Sequence, residues 1–286
     1  MNVKIMIVKK LLVLLSIVSP TFAVSCMNRG AGDPLSILYV RDIIADTTSA
    51  VYGMLKDGCA DGRNGTIAVI GQEEDALSLT GRLVSFDCFD NVDGRRSPDG
   101  LQDFAGEIFA VISDNANAPY RGYKDKDNVG FLKELTVKNF LGAVDTVCAS
   151  SQFDSRQSVR KPASKAVILA SSYSSAFGYR DICALTSAAH SNVKVISPLH
   201  SMFRYAVSRY GEKGAFAVWT SDDILGAGVF SGVWETMAEE YPALRYDAFC
   251  PVRDQSLRER ILSFFRMYKA SGKQRQIDAV LVDDAP

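Results

Sequence analysis

The sequence predicts an α/β protein of two lobes, each with a mainly parallel sheet flanked by helices, behind an N-terminal export signal. Three observations predict it. Short apolar runs rich in β-branched residues alternate with stretches of helical periodicity, and strands separated by helices need crossover connections, hence parallel pairing. The 286 residues are enough for one large domain or two modest lobes. The polar stretch Ser150–Pro162 interrupts the alternation near the middle, which sets residues 35–160 apart as a first lobe and 161–286 as a second.

The chain opens with Lys4, Lys9 and Lys10, then Leu11–Val18, apolar except for Ser16, then Pro20 and small residues. That order reads as a secretory signal over residues 1–25, too short for a membrane span. Two cleavage readings compete. Thr21-Phe22-Ala23 resembles a signal-peptidase site, and Ala23-Val24-Ser25-Cys26 resembles a bacterial lipobox in which Cys26 becomes the lipidated first residue. The position of Cys26 at the end of the signal favours lipidation, with residues 26–34 as a linker. The expected location is therefore the bacterial periplasm or cell envelope, with membrane contact only through a lipid anchor.

Strands are expected at Ser36–Val40, Thr66–Ile70, Arg82–Phe86, Ile108–Ser113, Ala166–Ala170, Val193–Ile196, Phe216–Thr220, Leu244–Phe249 and Ala279–Val282. Helices are expected at Val129–Cys148, Tyr179–Ala188, Ser201–Tyr210, Val229–Tyr241 and Gln255–Ser271.

Composition narrows the chemistry. With 47% hydrophobic and 23% charged residues the chain can build a core, so wholesale disorder is excluded. A net charge of −1 gives no broad surface for nucleic acid. Cys59, Cys88, Cys148, Cys183 and Cys250 are scattered without a C-x-x-C pair, and His190 and His200 are the only histidines. That pattern fits neither a zinc site nor a disulfide scaffold, and no cofactor is indicated.

In parallel-sheet folds ligands sit beyond the carboxyl ends of the strands. The segments there are rich in hydroxyls, amides and carboxylates: Asp87–Asn91, Asp114–Gly122, Ser171–Ser175, Ser197–His200, Thr220–Asp223 and Asp283-Asp284. The same residue types cap helices and form turns. Six such segments at one edge shift the balance toward a small-molecule site.

From Arg82 to Pro286 the series resembles the aspartate/glutamate racemase family. Phe86-Asp87-Cys88 is similar to its F-D-S motif, and residues 114–122 to its D-x-A-x-x-P-Y-G loop, with Arg121 inserted before the glycine. Ser171-Ser172-Tyr173-Ser174-Ser175 lies where that family has C-N-T-A-S. Trp219-Thr220-Ser221 with Gly228-Val229-Phe230 is similar to G-T…S-G-x-Y, and Leu281-Val282-Asp283-Asp284 falls where L-G-C-T-H stands. The resemblance implies two α/β lobes enclosing an amino-acid site. It points to Asp87, Ser171 and Asp283 at catalytic positions. It places Cys88, Asp114, Asn115, Pro119, Tyr120, Ser172, Tyr173, Ser175, Thr220 and Ser221 around the substrate. Both cysteines that carry protons in the family are replaced, by Ser171 and Asp283, and a serine without a neighbouring base is a poor proton acceptor.

The expected function is thus an exported protein that binds a small carboxylate or amino acid without two-cysteine racemisation. Two alternatives stay open. One is an isomerase or lyase using Asp283 or Asp87 as base. The other is a metal-dependent hydrolase drawing on Asp87, Asp90, Asp93, Asp222, Asp223, Asp283 and Asp284. The residues do not decide whether the protein is an enzyme, nor its oligomeric state.

Overall fold

The structure, a computed structural model, describes residues 7–9 (backbone), 36–58, 64–72, 74–125, 127–149, 158–251, 255–272 and 275–283. The rest of the expected signal, Cys26 and Asp284 lie outside the described residues. The chain divides into two units. An N-terminal unit comprises residues 24–174 and 178–196, and a C-terminal unit comprises residues 1–23, 175–177 and 197–286.

In chain order the strands are β1 (Ile7–Lys9), β2 (Thr66–Gly71), β3 (Phe109–Ser113), β4 (Val147–Ala149), β5 (Ser158–Arg160), β6 (Ser164–Leu169), β7 (Lys194–Ile196), β8 (Phe216–Trp219), β9 (Tyr246–Phe249) and β10 (Ala279–Val282). The N-terminal sheet has the order β3-β2-β6-β7 and is parallel throughout. The C-terminal sheet, β1-β10-β8-β9, is also parallel.

The N-terminal unit carries α1 (Leu38–Ala45), α2 (Ala50–Asp57), α3 (Asp75–Val84), α4 (Arg121–Asp125), α5 (Val129–Val144), α6 (Ser172–Phe177, whose last three residues group with the other unit) and α7 (Tyr179–Ala188). Its core joins Val40 and Ile43 of α1, Leu55 of α2, Ala68 and Ile70 of β2, Val137 and Phe140 of α5, Val167 and Leu169 of β6, and Ile182 and Leu185 of α7. β2 is buried along its whole length. A continuous apolar run such as Ile67–Ile70 suits a strand covered on both faces.

The C-terminal unit carries α8 (Pro198–Tyr210), α9 (Asp222–Gly226), α10 (Val229–Glu240) and α11 (Leu257–Ala270). One of its cores packs Ala217 and Trp219 of β8 and Val280 and Val282 of β10 against Phe264 and Tyr268 of α11. Ser256 and Glu259 form a reciprocal capping box at the start of α11, which fixes where that helix begins.

Four expectations are corrected. Ser36–Val40 is not a strand: Leu38–Ala45 is helical, and Val40 and Ile43, one helical turn apart, enter the core. Arg82–Phe86 is not a strand either. Arg82–Val84 is the last turn of α3, whose buried Ala76, Thr80 and Leu83 follow a helical period. The helix expected over Val129–Cys148 stops at Val144, and Val147–Ala149 pairs antiparallel with Ser158–Arg160. Part of the polar stretch, Ser158–Arg160, is therefore one strand of this pair rather than a connection between lobes. Because β6 and β7 continue the first sheet, the division falls near Ile196, later than residue 160.

Candidate functional site

In the N-terminal unit, β2, β3 and β6 end at Gly71, Ser113 and Leu169. Parallel pairing brings the next residues to one edge. Asp114 donates its N–H to the Gly71 carbonyl at 2.8 Å, and Ala170 donates to Ile70 at 2.8 Å. Space at Gly71 is tight, since a Cβ would stand 3.1 Å from Asp75 Cβ and 3.2 Å from Ala170 Cβ.

Asp114 is the centre of a polar cluster. Its Oδ2 accepts from the Tyr120 hydroxyl and from Asn139 Nδ2, both at 2.8 Å, and its Oδ1 accepts from Asn117 Nδ2 at 2.7 Å. Asn139 also donates to the Tyr120 oxygen at 2.9 Å, and Gln72 Oε1 accepts the Tyr120 N–H at 2.6 Å. The Ala118–Pro119 peptide is cis, and Tyr120 is fully buried. Burial first, then the adjacent Asp114 charge, pushes the Tyr120 hydroxyl far above the ordinary tyrosine range. Tyr120 therefore keeps its proton and donates it to Asp114. The cluster positions the 114–122 loop rather than moving protons. Asn115 and Pro119 lie exposed on this loop, and Asn115 accepts from Ser113 Oγ at 2.8 Å.

Ser171 follows β6 at the same edge and occupies the N-cap position of α6 without a side-chain capping bond. Its Oγ is fully buried and has no hydrogen-bond partner among the described residues. Tyr173 is buried beside it in the chain and Ser172 is half-buried.

Asp87 and Cys88 stand elsewhere. With no strand ahead of them, they begin a loop of tight turns. Asp87 accepts the N–H groups of Asp99 at 3.2 Å and Gly100 at 3.0 Å, and Cys88 donates its N–H to Asp103 at 3.1 Å. Among the described residues no hydrogen bond links Asp87 or Cys88 to Asp114, Tyr120 or Ser171. Asp90, Asp93 and Asp99 likewise accept N–H groups of their own loop. Among the described residues no group of three or more His, Cys, Asp or Glu side chains is arranged to hold a metal ion.

The C-terminal unit repeats the edge arrangement. Asp283 follows β10 and Thr220 follows β8. Asp283 donates its N–H to the Trp219 carbonyl at 3.0 Å, and Thr220 Oγ1 donates to Asp283 Oδ2 at 3.3 Å. Both side chains are buried, as are Ser221 and Ser175. Ser221 caps α9, accepting the Ile224 N–H at 3.4 Å, so its hydroxyl already has a structural task.

The chain is similar to the glutamate racemase isoform RacE1 of Bacillus anthracis, at 14% identity and a TM-score of 0.43, over 77% of this chain and 68% of that one. No family model matches the chain, and no curated protein matches it. The site is therefore read from this chain's own residues.

Two participants escape the loop-by-loop reading. Gln72 directly follows β2, so the strand-end rule itself points to it. Asn139 sits inside α5, and its signal is a polar amide on a helix that otherwise buries Leu135, Thr136, Phe140 and Ala143.

His200 is buried on α8, with Nδ1 2.7 Å from the Ser197 hydroxyl that caps that helix. Burial first, then Arg204, holds its imidazole well below the usual histidine range. An unfolded histidine takes up a proton near about pH 6.5. The stability it contributes is therefore complete above that pH and declines as pH falls below it toward the depressed folded value. His200→Gln is expected to flatten the loss of melting temperature on acidification below pH 6.5. An acid limb as steep as that of the wild type would refute this assignment.

Proposed function

We propose that the protein is exported and binds a small carboxylate or amino acid, with Ser171 and the residues of the 114–122 loop among the groups that receive it. The observation that supports this most is Ser171 itself. A buried hydroxyl without a partner costs about 1–3 kcal/mol, and this one stands at the carboxyl edge of a parallel sheet, where ligands of such folds bind. A ligand oxygen or ammonium would complete its hydrogen bonding. The Asp114–Tyr120–Asn139 cluster holds the neighbouring loop in one conformation, which lowers the ordering cost of binding.

The test is a thermal-shift screen with dicarboxylates, D- and L-amino acids, phosphate esters and divalent metals, since any ligand of the native state raises the melting temperature by mass action. A dicarboxylate or amino acid is expected to stabilise the protein, and Ser171→Ala to abolish that shift. Without ligand the variant should be as stable as the wild type or about 0–1 kcal/mol more so, because an unsatisfied group has been removed. Wild-type shifts that persist in Ser171→Ala would sink the role given to Ser171. Stabilisation by metals or phosphate esters alone would promote the hydrolase reading.

For a bound amino acid, exchange of its α-hydrogen with deuterated water separates turnover from binding. Loss of that exchange in Asp283→Asn would identify the base. Export is read from residues 1–25 and lipidation from Cys26. The intact mass of the protein from a bacterial envelope distinguishes cleavage after Ala23 from a lipidated Cys26. Either cleavage would also remove Ile7–Lys9 from the edge of β10.

A further inference from the structure

In the C-terminal unit one cation is held in place without an anion among the described residues. Arg260 lies in the first turns of α11, which follows β9 and therefore starts on the side of the sheet where the strands end. Its guanidinium carbon sits 5.4 Å from the centroid of the Trp219 ring, and Phe264, one helical turn on, stacks on Trp219 with centroids 5.3 Å apart and planes at 16°. Trp219 is the last residue of β8, and its carbonyl receives the N–H of Asp283. The aromatic contact thus fixes the guanidinium beside the end of the strand that leads into Thr220.

Three features of Arg260 are unfavourable as they stand. Its Nε is shielded from solvent and finds no acceptor among the described residues. Among the described residues the guanidinium makes no ion pair. Glu259, its acidic neighbour in sequence, is committed to the capping box through the Ser256 N–H at 2.9 Å and Oγ at 2.6 Å. A positive charge near a helix N-terminus also opposes the helix dipole. Stacking on Trp219 compensates in part. A bound anion would resolve all three at once.

We propose that Arg260 is the residue that pairs with a ligand carboxylate at the strand-end edge of the C-terminal unit. This rests on the carboxylate-binding reading above and adds, within the C-terminal unit, the cationic partner that Thr220 and Asp283 do not supply. The planar guanidinium offers paired N–H donors that match both oxygens of a carboxylate, a geometry a lysine ammonium does not reproduce.

The test is titration calorimetry of the full chain with succinate, L-aspartate and inorganic phosphate. Wild type is expected to bind succinate or aspartate. Arg260→Gln should weaken that binding at least about ten-fold, and Arg260→Lys should fall between the two. Arg258→Gln, which changes an exposed neighbour on the same helix, should bind as the wild type does. Without ligand, Arg260→Gln should melt at or above the wild-type temperature, which a residue kept for stability alone would not do. Binding by Arg260→Gln within two-fold of wild type overturns this inference and leaves the carboxylate reading standing. Failure of wild type to bind either carboxylate overturns that reading and this inference together. Phosphate binding alone, lost in Arg260→Gln, overturns the carboxylate assignment.

Discussion

Gly178→Ala is expected to destabilise the protein by about 3 kcal/mol through overpacking and to lower its melting temperature by about 6–12 °C. A Cβ at this position would lie 2.4 Å from Thr136 Cγ2 and 2.6 Å from Thr136 Cβ. The backbone of Gly178, φ −106° and ψ −18°, is open to any residue, so the glycine is there for space and not for its torsions. Thr136 cannot turn aside: it is fully buried on α5, and its hydroxyl donates to the Leu132 carbonyl at 2.9 Å and contacts Ser174 Oγ at 3.4 Å. Since Ser174 belongs to the segment that begins at Ser171, the same displacement should weaken any ligand seated at this edge. Thermal denaturation and the ligand-induced shift of one variant check both effects. Thr136→Ala in the Gly178→Ala background removes the Cγ2 clash but leaves the Cβ clash, so rescue should be partial. A melting temperature within about 2 °C of wild type would show that α5 and α7 move apart at little cost.

Asp181→Ala should cost about 2–4 kcal/mol, toward the lower part of the range for breaking a buried ion pair. Asp181, on the first turn of α7, is 1% exposed. Its Oδ1 accepts the N–H of Ile37 at 2.8 Å, at the entrance to α1, and its Oδ2 lies 3.6 Å from Lys133 Nζ on α5. One carboxylate thus ties α1 and α5 to α7 around the core shared by Val40, Phe140 and Ile182. Alanine leaves both a partly buried N–H and an ammonium without this partner. Lys133 is 26% exposed and regains some hydration, which keeps the cost from reaching its maximum. Asp181→Asn preserves an acceptor for Ile37 and should cost less than alanine. A double-mutant cycle with Lys133→Met measures the coupling, expected at about 1 kcal/mol or more. Strict additivity would mean that Asp181 acts through Ile37 alone.

The fold was legible in the chain wherever an apolar run and its flanks agreed. Thr66–Ile70, Phe216–Trp219 and Ala279–Val282 are strands because continuous runs of this length fit a sheet covered on both faces. Pro198 and Ser197 mark the start of α8, three residues before the helix expected from periodicity alone, because a serine cap followed by proline satisfies and preorganises the first turn. Ser36–Val40 and Arg82–Phe86 misled because a five-residue apolar run is too short to separate a strand from a buried helical turn. Their packing partners decided the matter: Asp181 receives the entrance of α1, and α3 packs on β2 and β3.

Sites followed the same division. Asp114, Tyr120, Ser171, Thr220 and Asp283 could be placed at sheet edges from sequence, because in a parallel sheet the residue after each strand emerges on one side. Asp87 could not, because its assignment depended on a strand that proved to be a helix end. Asn139 and Arg260 come from helices, where sequence position alone does not say which neighbour a side chain meets. By itself the sequence determined the α/β class, the mainly parallel pairing and the strand ends at Ser113, Ile196, Phe249 and Val282, all of which follow from local periodicity and crossover chemistry. Only the tertiary structure decided that Tyr120 donates to Asp114 and that, among the described residues, Ser171 is buried without a partner and Arg260 lies on Trp219 without a counter-charge. Desolvation, hydrogen-bond satisfaction and charge pairing depend on neighbours brought together from distant parts of the chain.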